Sequence, residues 1–435
     1  MKLSKRLLAS LCLLAVTSVQ GQDLLTVFDL ALQQDPALRE ARQQLESVRE
    51  SRPQALSLLL PSLSLGGSAG YTDRDIVRGS NEGREDFSDY GLSLRLRQPV
   101  FRRDLWLQLD QTDNQIAKAE ADYANAELAL MGRVINVYFD ILAKQDDLTV
   151  SIAQTEANSR QLEQARQRFD VGLIAITDVH EAQAAYDSAR ADQIFRENEV
   201  DNAWEALFQI VGPYPKEIAK LGEELPLTPP EPANINEWAN SAVQQNYAVI
   251  AAMNAAEGLR KQIEVTRSGH YPTLELQAAY GIDRTNADLG SDVNAREIGL
   301  ELNVPLYQGG GVTSRVRQAQ YDYEAAREVL DRERRSVNAD IRNAYRGVIS
   351  SISRVHALKA TMVSSKSALD STQAGYEVGT RTLVDVLTVQ SQMFDATRNY
   401  LSSRYQYIIN AALLKQRASI LSREDIVGIN GWLNQ

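Results

Sequence analysis

The chain has 435 residues, of which 46 are basic and 57 acidic, giving a formal charge of −11. That balance disfavours nucleic acid and anionic lipid surfaces as partners. The single cysteine, Cys12, falls in a segment with the pattern of a removable leader, so disulfides and thiol catalysis are excluded for the mature chain.

Residues 1–21 carry the leader pattern. Lys2, Lys5 and Arg6 form a basic start, and Leu7 to Val16 is apolar except for Ser10. Val19 and Gly21 fit the small-residue rule for cleavage after Gly21. Leu11 precedes Cys12 where a lipoprotein signal needs a small residue, so lipidation is not expected. No window reaches the roughly 18 apolar residues of a membrane-spanning helix.

From Leu24 to about Arg52 an apolar stripe of Leu24, Phe28, Ala31 and Leu32 predicts one helix. After Pro61 the period becomes two. Leu63, Leu65, Gly67, Ala69 and Tyr71 share one face, and Ser62, Ser64, Gly66, Ser68 and Gly70 the other. A polar loop is expected over Thr72 to Asp86. A second strand comes next, with Tyr90, Leu92, Leu94 and Leu96 on its apolar face, ending at Pro99. These strands, 62–98 with their loop, form a hairpin of about ten residues per arm. That length suits an outer-membrane barrel; the same hydropathy also suits a hairpin packed on a soluble core.

Arg102 to Arg168 is a helical run without proline, roughly 100 Å long at 1.5 Å per residue. Such a helix needs partner helices to bury its stripe. A Gly-containing tip lies at 169–178, and Thr177 to Ile210 returns as helix. Six of the twelve prolines fall between Pro213 and Pro232, which marks 211–237 as a linker.

The plan then repeats. Pro272 to Leu276 echoes Pro61 to Leu65, and Ala242 to Val249 echoes Ala31 to Leu38. A second hairpin spans 273–304, with Leu274, Leu276, Ala278, Tyr280 and Ile282 against Ile298, Leu300, Leu302 and Val304, and a loop over Asp283 to Arg296. After Gly311, a stripe from Val337 through Ile341, Ala344, Val348, Ser351 and Val355 to Tyr376 alternates steps of four and three, the coiled-coil period. A second tip lies at 376–385. Phe169 to Ala184 aligns without gaps on Tyr376 to Ser391, an offset of 207 residues. The domains expected are a first unit over 22–210, the linker, a second unit over 238–421, and a loose tail over 422–435.

Strands in a membrane must close into a barrel, because hydrocarbon satisfies no backbone N–H or C=O. Four strands cannot close, so two, three or four copies would be needed.

Arg168 to Val179, Val378 to Val386 and Pro305 to Gly310 together resemble the TolC-type outer-membrane efflux and secretion channels, and the likeness covers essentially the whole mature sequence. The resemblance implies a mainly helical fold with a membrane β-barrel. Each chain would give four strands and two long coiled-coil hairpins. A homotrimer would form a twelve-stranded barrel in the outer-membrane lipid, continued by a twelve-helix tunnel in the periplasm. It implies a periplasmic adaptor and an inner-membrane RND or ABC transporter as partners, and an exit duct for small molecules or proteins that does no chemistry and needs no cofactor. It implies a tip gate in which Thr177 and Asp178 meet Tyr376 and Arg381, an adaptor-docking surface at Val171, Gly172, Leu173, Val378, Gly379 and Thr380, and an acidic pore ring at Asp385. The family's second acidic position falls on Thr388, which would halve that ring.

Plainer roles exist for these residues. Asp178 suits the first turn of a helix, Arg381 an exposed loop, and Thr382 with Asp385 a capping box. His180, His270 and His356 lack zinc or catalytic spacing. Gly309-Gly310-Gly311 lacks the Lys-Ser/Thr of a nucleotide loop. A soluble periplasmic coiled-coil scaffold or chaperone is the alternative function.

Overall fold

The structure is a computed structural model that describes residues 22–77, 83–213, 217–287 and 290–434. The leader expected over 1–21 lies outside the described residues. The elements are α1 (Leu24–Gln34), α2 (Pro36–Arg49), α3 (Ser51–Ser57), β1 (Ser62–Ile76), β2 (Gly83–Phe101), α4 (Arg103–Asp170), α5 (Ile176–Val211), α6 (Ile235–Gln245), α7 (Tyr247–Arg267), β3 (Thr273–Thr285), β4 (Ser291–Asn303), α8 (Gly311–Glu377), α9 (Leu383–Arg417) and α10 (Arg423–Asn430).

The single N-terminal helix expected over 24–52 is three helices. Pro36 has no N–H to continue α1, and Asp35 instead caps α2 by accepting from the Leu38 N–H at 2.8 Å. The Asp35 carboxylate is buried and also takes Arg133 Nη2 at 2.7 Å. Asn246 holds the echoed position and caps α7 through the N–H groups of Ala248 and Val249.

The strands form one antiparallel sheet in the order β1-β2-β3-β4. The pairing aligns Leu65 with Leu94, Leu94 with Tyr280, and Ala278 with Ile298. All the apolar positions therefore lie on one face, as the period of two requires. Among the described residues nothing covers that face: Leu65 is 70% exposed and Ile298 80%.

Both hairpins run past the loops expected for them. Beyond Tyr71 the alternation continues as cross-strand charge pairs, Arg74 with Glu85 at 2.6 Å and Arg84 with Asp73. These hold the strands together after the apolar band ends. Pro99 does not end β2. The strand continues to Phe101 with a register irregularity between Pro99 and Phe101, the form in which a strand accommodates a residue without a donor.

Where the sheet meets the helices, Glu275 of β3 is buried and takes Arg97 Nε at 2.6 Å and Arg102 Nη1 at 2.9 Å. Arg102 in turn pairs with Asp104 at 2.7 Å. This ties the strand of one half to the strand-to-helix passage of the other.

Below this joint, α4 and α5 run antiparallel, levelled by Lys144 with Glu199 at 2.6 Å and Asn158 Nδ2 to Ala185 O at 3.0 Å. On its other flank α4 meets α9, through Asp146 with the Tyr405 hydroxyl at 2.6 Å and Asn158 with Gln390 at 2.7 Å. α9 packs along α8. The lower wall is therefore ordered α5-α4-α9-α8. Nearer the sheet it is α2-α4-α7-α8. The buried seam of α8 is the four-three stripe itself, Val337, Ile341, Val348, Ser351 and Val355.

The main core lies midway along the wall. Phe28, Leu130, Ile135, Tyr138, Phe139, Leu207, Tyr407 and Ile408 are among its side chains. The linker wraps this level, with Tyr138 Oη donating to Ala219 O at 2.9 Å and Arg404 Nη2 donating to Gly222 O.

The tail expected to be loose is ordered over 422–434. Ser422 and Asp425 form a capping box for α10, Lys415 pairs with Asp425 at 2.5 Å, and Arg423 with Asp29 at 2.7 Å. Ile426 is fully buried, in the same core as α1. Its burial contributes about 2–3 kcal/mol to docking α10. Ile426→Asp should undock α10, and limited trypsin digestion should then cut after Arg417 or Arg423 in the variant but not in the parent.

Candidate functional site at the paired hairpin tips

The far ends of the two hairpins are built on one template with different residues. α4 ends where Gly172 takes φ +78°, and Leu173 N–H returns to Arg168 O at 2.8 Å. α8 ends where Gly379 takes φ +80°, and Thr380 N–H returns to Gly375 O at 2.8 Å. Both are left-handed helix stops that favour glycine.

Asp178 and Asp385 are equivalent under the 207-residue offset, yet their carboxylates have different fates. Thr382 caps α9, and the Asp385 carboxylate accepts from the Thr382 N–H and hydroxyl, each at 2.9 Å. This is the capping box, so Asp385 is occupied within its own helix end. Its counterpart α5 starts from Ala175, which has no hydroxyl and makes no side-chain cap. Asp178 is consequently a third-position acid without a cap partner. Among the described residues it makes no ion pair with Arg381 and no hydrogen bond with Tyr376.

Thr177 and Arg381 are exposed and Tyr376 is half-buried. The Arg168 guanidinium sits over the Tyr376 ring at 4.9 Å, a cation–π contact that holds the two tips of one chain together. Beneath it, Leu162, Ala165, Ala182 and Leu383 form a small apolar cluster that Ile174, Val179 and Tyr376 join. Thr388 is exposed on α9. Val171, Leu173 and Val378 are apolar yet 70%, 74% and 76% exposed.

Arg168 was not among the site residues expected from sequence. The signal for it lies in the tip alignment, which sets Arg168 against Gly375. A Cβ at Gly375 would lie 2.9 Å from Arg381 Cγ, so the second tip needs glycine where the first has the arginine. The Glu275 joint was also missed, because its partners lie far apart in sequence.

Residues 27–213 and 238–418 match the family model described as outer membrane efflux protein. The chain belongs to that family. It is 34% identical over 422 residues to outer membrane protein TolC of Vibrio cholerae, covering 96% of this chain and 95% of that protein. It is 26% identical to the proteases secretion protein PrtF of Dickeya chrysanthemi, covering 95% and 92%. Among solved structures, the Campylobacter jejuni CmeC outer membrane channel superposes with a TM-score of 0.80 at 17% identity, covering 95% of this chain and 90% of that one. The chain is thus an outer-membrane efflux or secretion channel protein and not an enzyme, with its helices in the periplasm. Among the described residues no helix is long and apolar enough to cross a membrane.

The capping difference has a pH signature. The backbone N–H of Thr382, its hydroxyl and the nearby Arg381 guanidinium hold the Asp385 carboxyl below its ordinary 3.8. A carboxyl with a depressed folded pKa contributes stability above its unfolded pKa and loses it as pH falls through the folded one. The α9 cap therefore persists unchanged from neutral pH to about pH 4 and is lost only in stronger acid. Thr382→Ala should speed hydrogen exchange of the 384–386 amides about fivefold. Ala175→Thr should slow exchange at the start of α5, since it supplies Asp178 with the partner it lacks.

Proposed function

We propose that three copies close into one export duct, a twelve-stranded barrel continued by a twelve-helix tunnel. The carrying observation is the pair of open flanks. The sheet ends in bare edges at β1 and β4, and the lower wall ends in α5 and α8. Bare edges under an apolar face cannot rest in lipid, and an even strand number keeps the closure antiparallel. One rung of the opposite face near mid-sheet carries only small groups: Gly66, Ser93, Gly281 and Ala295 align across the four strands, while the rung next to it carries Arg95 and Glu297. A polar face with a small rung suits a water-filled conduit better than an eight-stranded barrel filled by its own side chains. The choice of three copies follows the family resemblance. Each chain contributes two units, residues 22–210 and 238–421, joined by 211–237.

The far end is the gate in this reading. Asp178 and Thr177 of one chain accept from Tyr376 and Arg381 across the boundary between copies. The support is that Asp178 lacks a cap and that Arg381 makes no ion pair among the described residues. Asp385 gives the ring of acids at the constriction, although its capping box limits its reach. The exposed Val171, Leu173 and Val378, with Gly172, Gly379 and Thr380, form the knobs that dock a periplasmic adaptor. An RND or ABC transporter in the inner membrane supplies the energy, and small molecules or proteins are the cargo, as in a tripartite pump or type I secretion system.

Native mass spectrometry of the detergent-extracted protein should give a trimer, and planar bilayers should show discrete channels. A monomer without conductance would overturn the reading. Arg381→Ser should raise single-channel conductance several-fold by releasing the clasp. Asp385→Ala should weaken cation preference, read as a shift in reversal potential.

A further inference from the structure

The duplication lets the joint inside one chain serve as a template for the joint between chains. α4 and α8 correspond at an offset of 207 residues, as do α5 and α9. The contact of α4 with α9 inside the chain is therefore equivalent to a contact of α8 with α5 of the next copy. Three observed pairs set its level: Asp146 with Tyr405, Gln154 with Arg398, and Asn158 with Gln390. Shifted by the offset, they become Ser353 with Asn198, Thr361 with Ala191, and Ser365 with Gln183.

Two turns nearer the sheet, the template is apolar. Ile135 and Phe139 of α4 and Ile408 and Ala412 of α9 are all buried in the main core, and Phe139 lies against Tyr405 at 6.1 Å between ring centres. The equivalent residues on the open flanks are charged. Ile135 and Phe139 become Arg342 and Arg346. Ile408 and Ala412 become Asp201 and Glu205. Both sides of the joint have changed together, one to cations and the other to anions.

Among the described residues these charges have no opposite partner. Arg342 donates to the neutral amides of Asn338 at 2.9 Å and Asn236 at 2.8 Å, and Arg346 to Asn343 at 2.7 Å. Among the described residues neither arginine, nor Asp201, nor Glu205, makes an ion pair. The neighbouring Arg335 is different, being already held by Asp331 at 2.6 Å. The two arginines line a cavity of about 520 Å³ between α8 and α6, together with Val243, Arg334 and Arg335. The chain is acidic overall, so this basic flank is a local exception.

We propose that Arg342 and Arg346 on α8 dock against Asp201 and Glu205 on α5 of a second copy, forming an ion-paired seam at mid-wall. The offset puts Glu205 opposite Arg346, one turn from Arg342, and Asp201 one turn beyond Arg346 on the tip side. The proposal rests on closure of three copies into a ring. It adds the residues of the seam and their chemistry: the joint within a chain is apolar, and the joint between chains is electrostatic.

Charge exchange and cysteine cross-linking test it on the full-length protein. Arg346→Glu and Glu205→Arg should each cut the ratio of trimer to monomer about tenfold on warming in detergent, and the double variant should restore it. A double variant no better than either single one would overturn the ion pairing. Arg346→Cys with Glu205→Cys should give a chain-to-chain disulfide on oxidation, against a background with no cysteine after residue 12. Thr361→Cys with Ala191→Cys is the control for ring closure. If only the control pair cross-links, the seam is wrong and the ring stands. If neither does, the ring itself fails and the seam with it.

Discussion

Backbone satisfaction at the sheet edges governs the rest of this structure. A four-stranded sheet leaves two rows of N–H and C=O groups bare, and its apolar face directs those rows into hydrocarbon, where nothing else can pair them. The sheet can therefore persist only as an arc of something closed. The helices meet the same constraint in another form. α4 and α8, with 68 and 67 residues, are far longer than any core one chain could wrap around them. They bury a narrow seam along the wall and leave its flanks open. In the proposed ring, one closure would satisfy both edge and flank.

Duplication supplies the arc, and inequality between the copies supplies the chemistry. The aligned acids Asp178 and Asp385 differ in role because a single residue three positions upstream is Ala175 in one tip and Thr382 in the other. A hydroxyl at the cap consumes the carboxylate, and its absence frees it. Arg168 and Gly375 are unequal in the same way. The arginine stacks on Tyr376 of the other tip, while the glycine makes room for the Arg381 stem. The two tips are thus locked to each other inside the chain by a cation–π contact and an apolar cluster, while Arg381 stays exposed and Asp178 half-buried.

Much of this was legible in the sequence, for definite reasons. The strand faces, the long helices and the tips come from period, proline and glycine, which act locally. The features that escaped depend on partners distant in sequence or on chemistry that periodicity does not register. Pro36 divides the first helix because Asp35 is available to cap α2. The strands outrun their apolar band because Arg74, Glu85, Arg84 and Asp73 pair across it. The last residues order because Ile426 reaches the core around α1. Glu275 and its two arginines come from opposite halves of the chain. At the candidate gate, the residue types were visible but their engagement was not: Thr382 and Asp385 allowed both a cap and a pore ring, and only the geometry of the helix end shows the cap.

In the proposed ring, the division between apolar and charged joints follows from the order in which they would form. The joint of α4 with α9 is made as one chain folds, and burying Phe139, Ile135 and Ile408 there needs no second molecule. In that ring the flanks of α5 and α8 would stay in water until another copy arrives. Apolar side chains at Arg342, Arg346, Asp201 and Glu205 would leave a long sticky stripe on every unassembled chain, prone to pair with the wrong partner. Charges keep that stripe hydrated, and opposite signs on the two flanks favour the one pairing that closes a ring while repelling like against like. The apolar belt of the sheet has no such alternative, because its final solvent is lipid. One chain thus carries two kinds of unfinished surface, each matched to the medium in which it is completed.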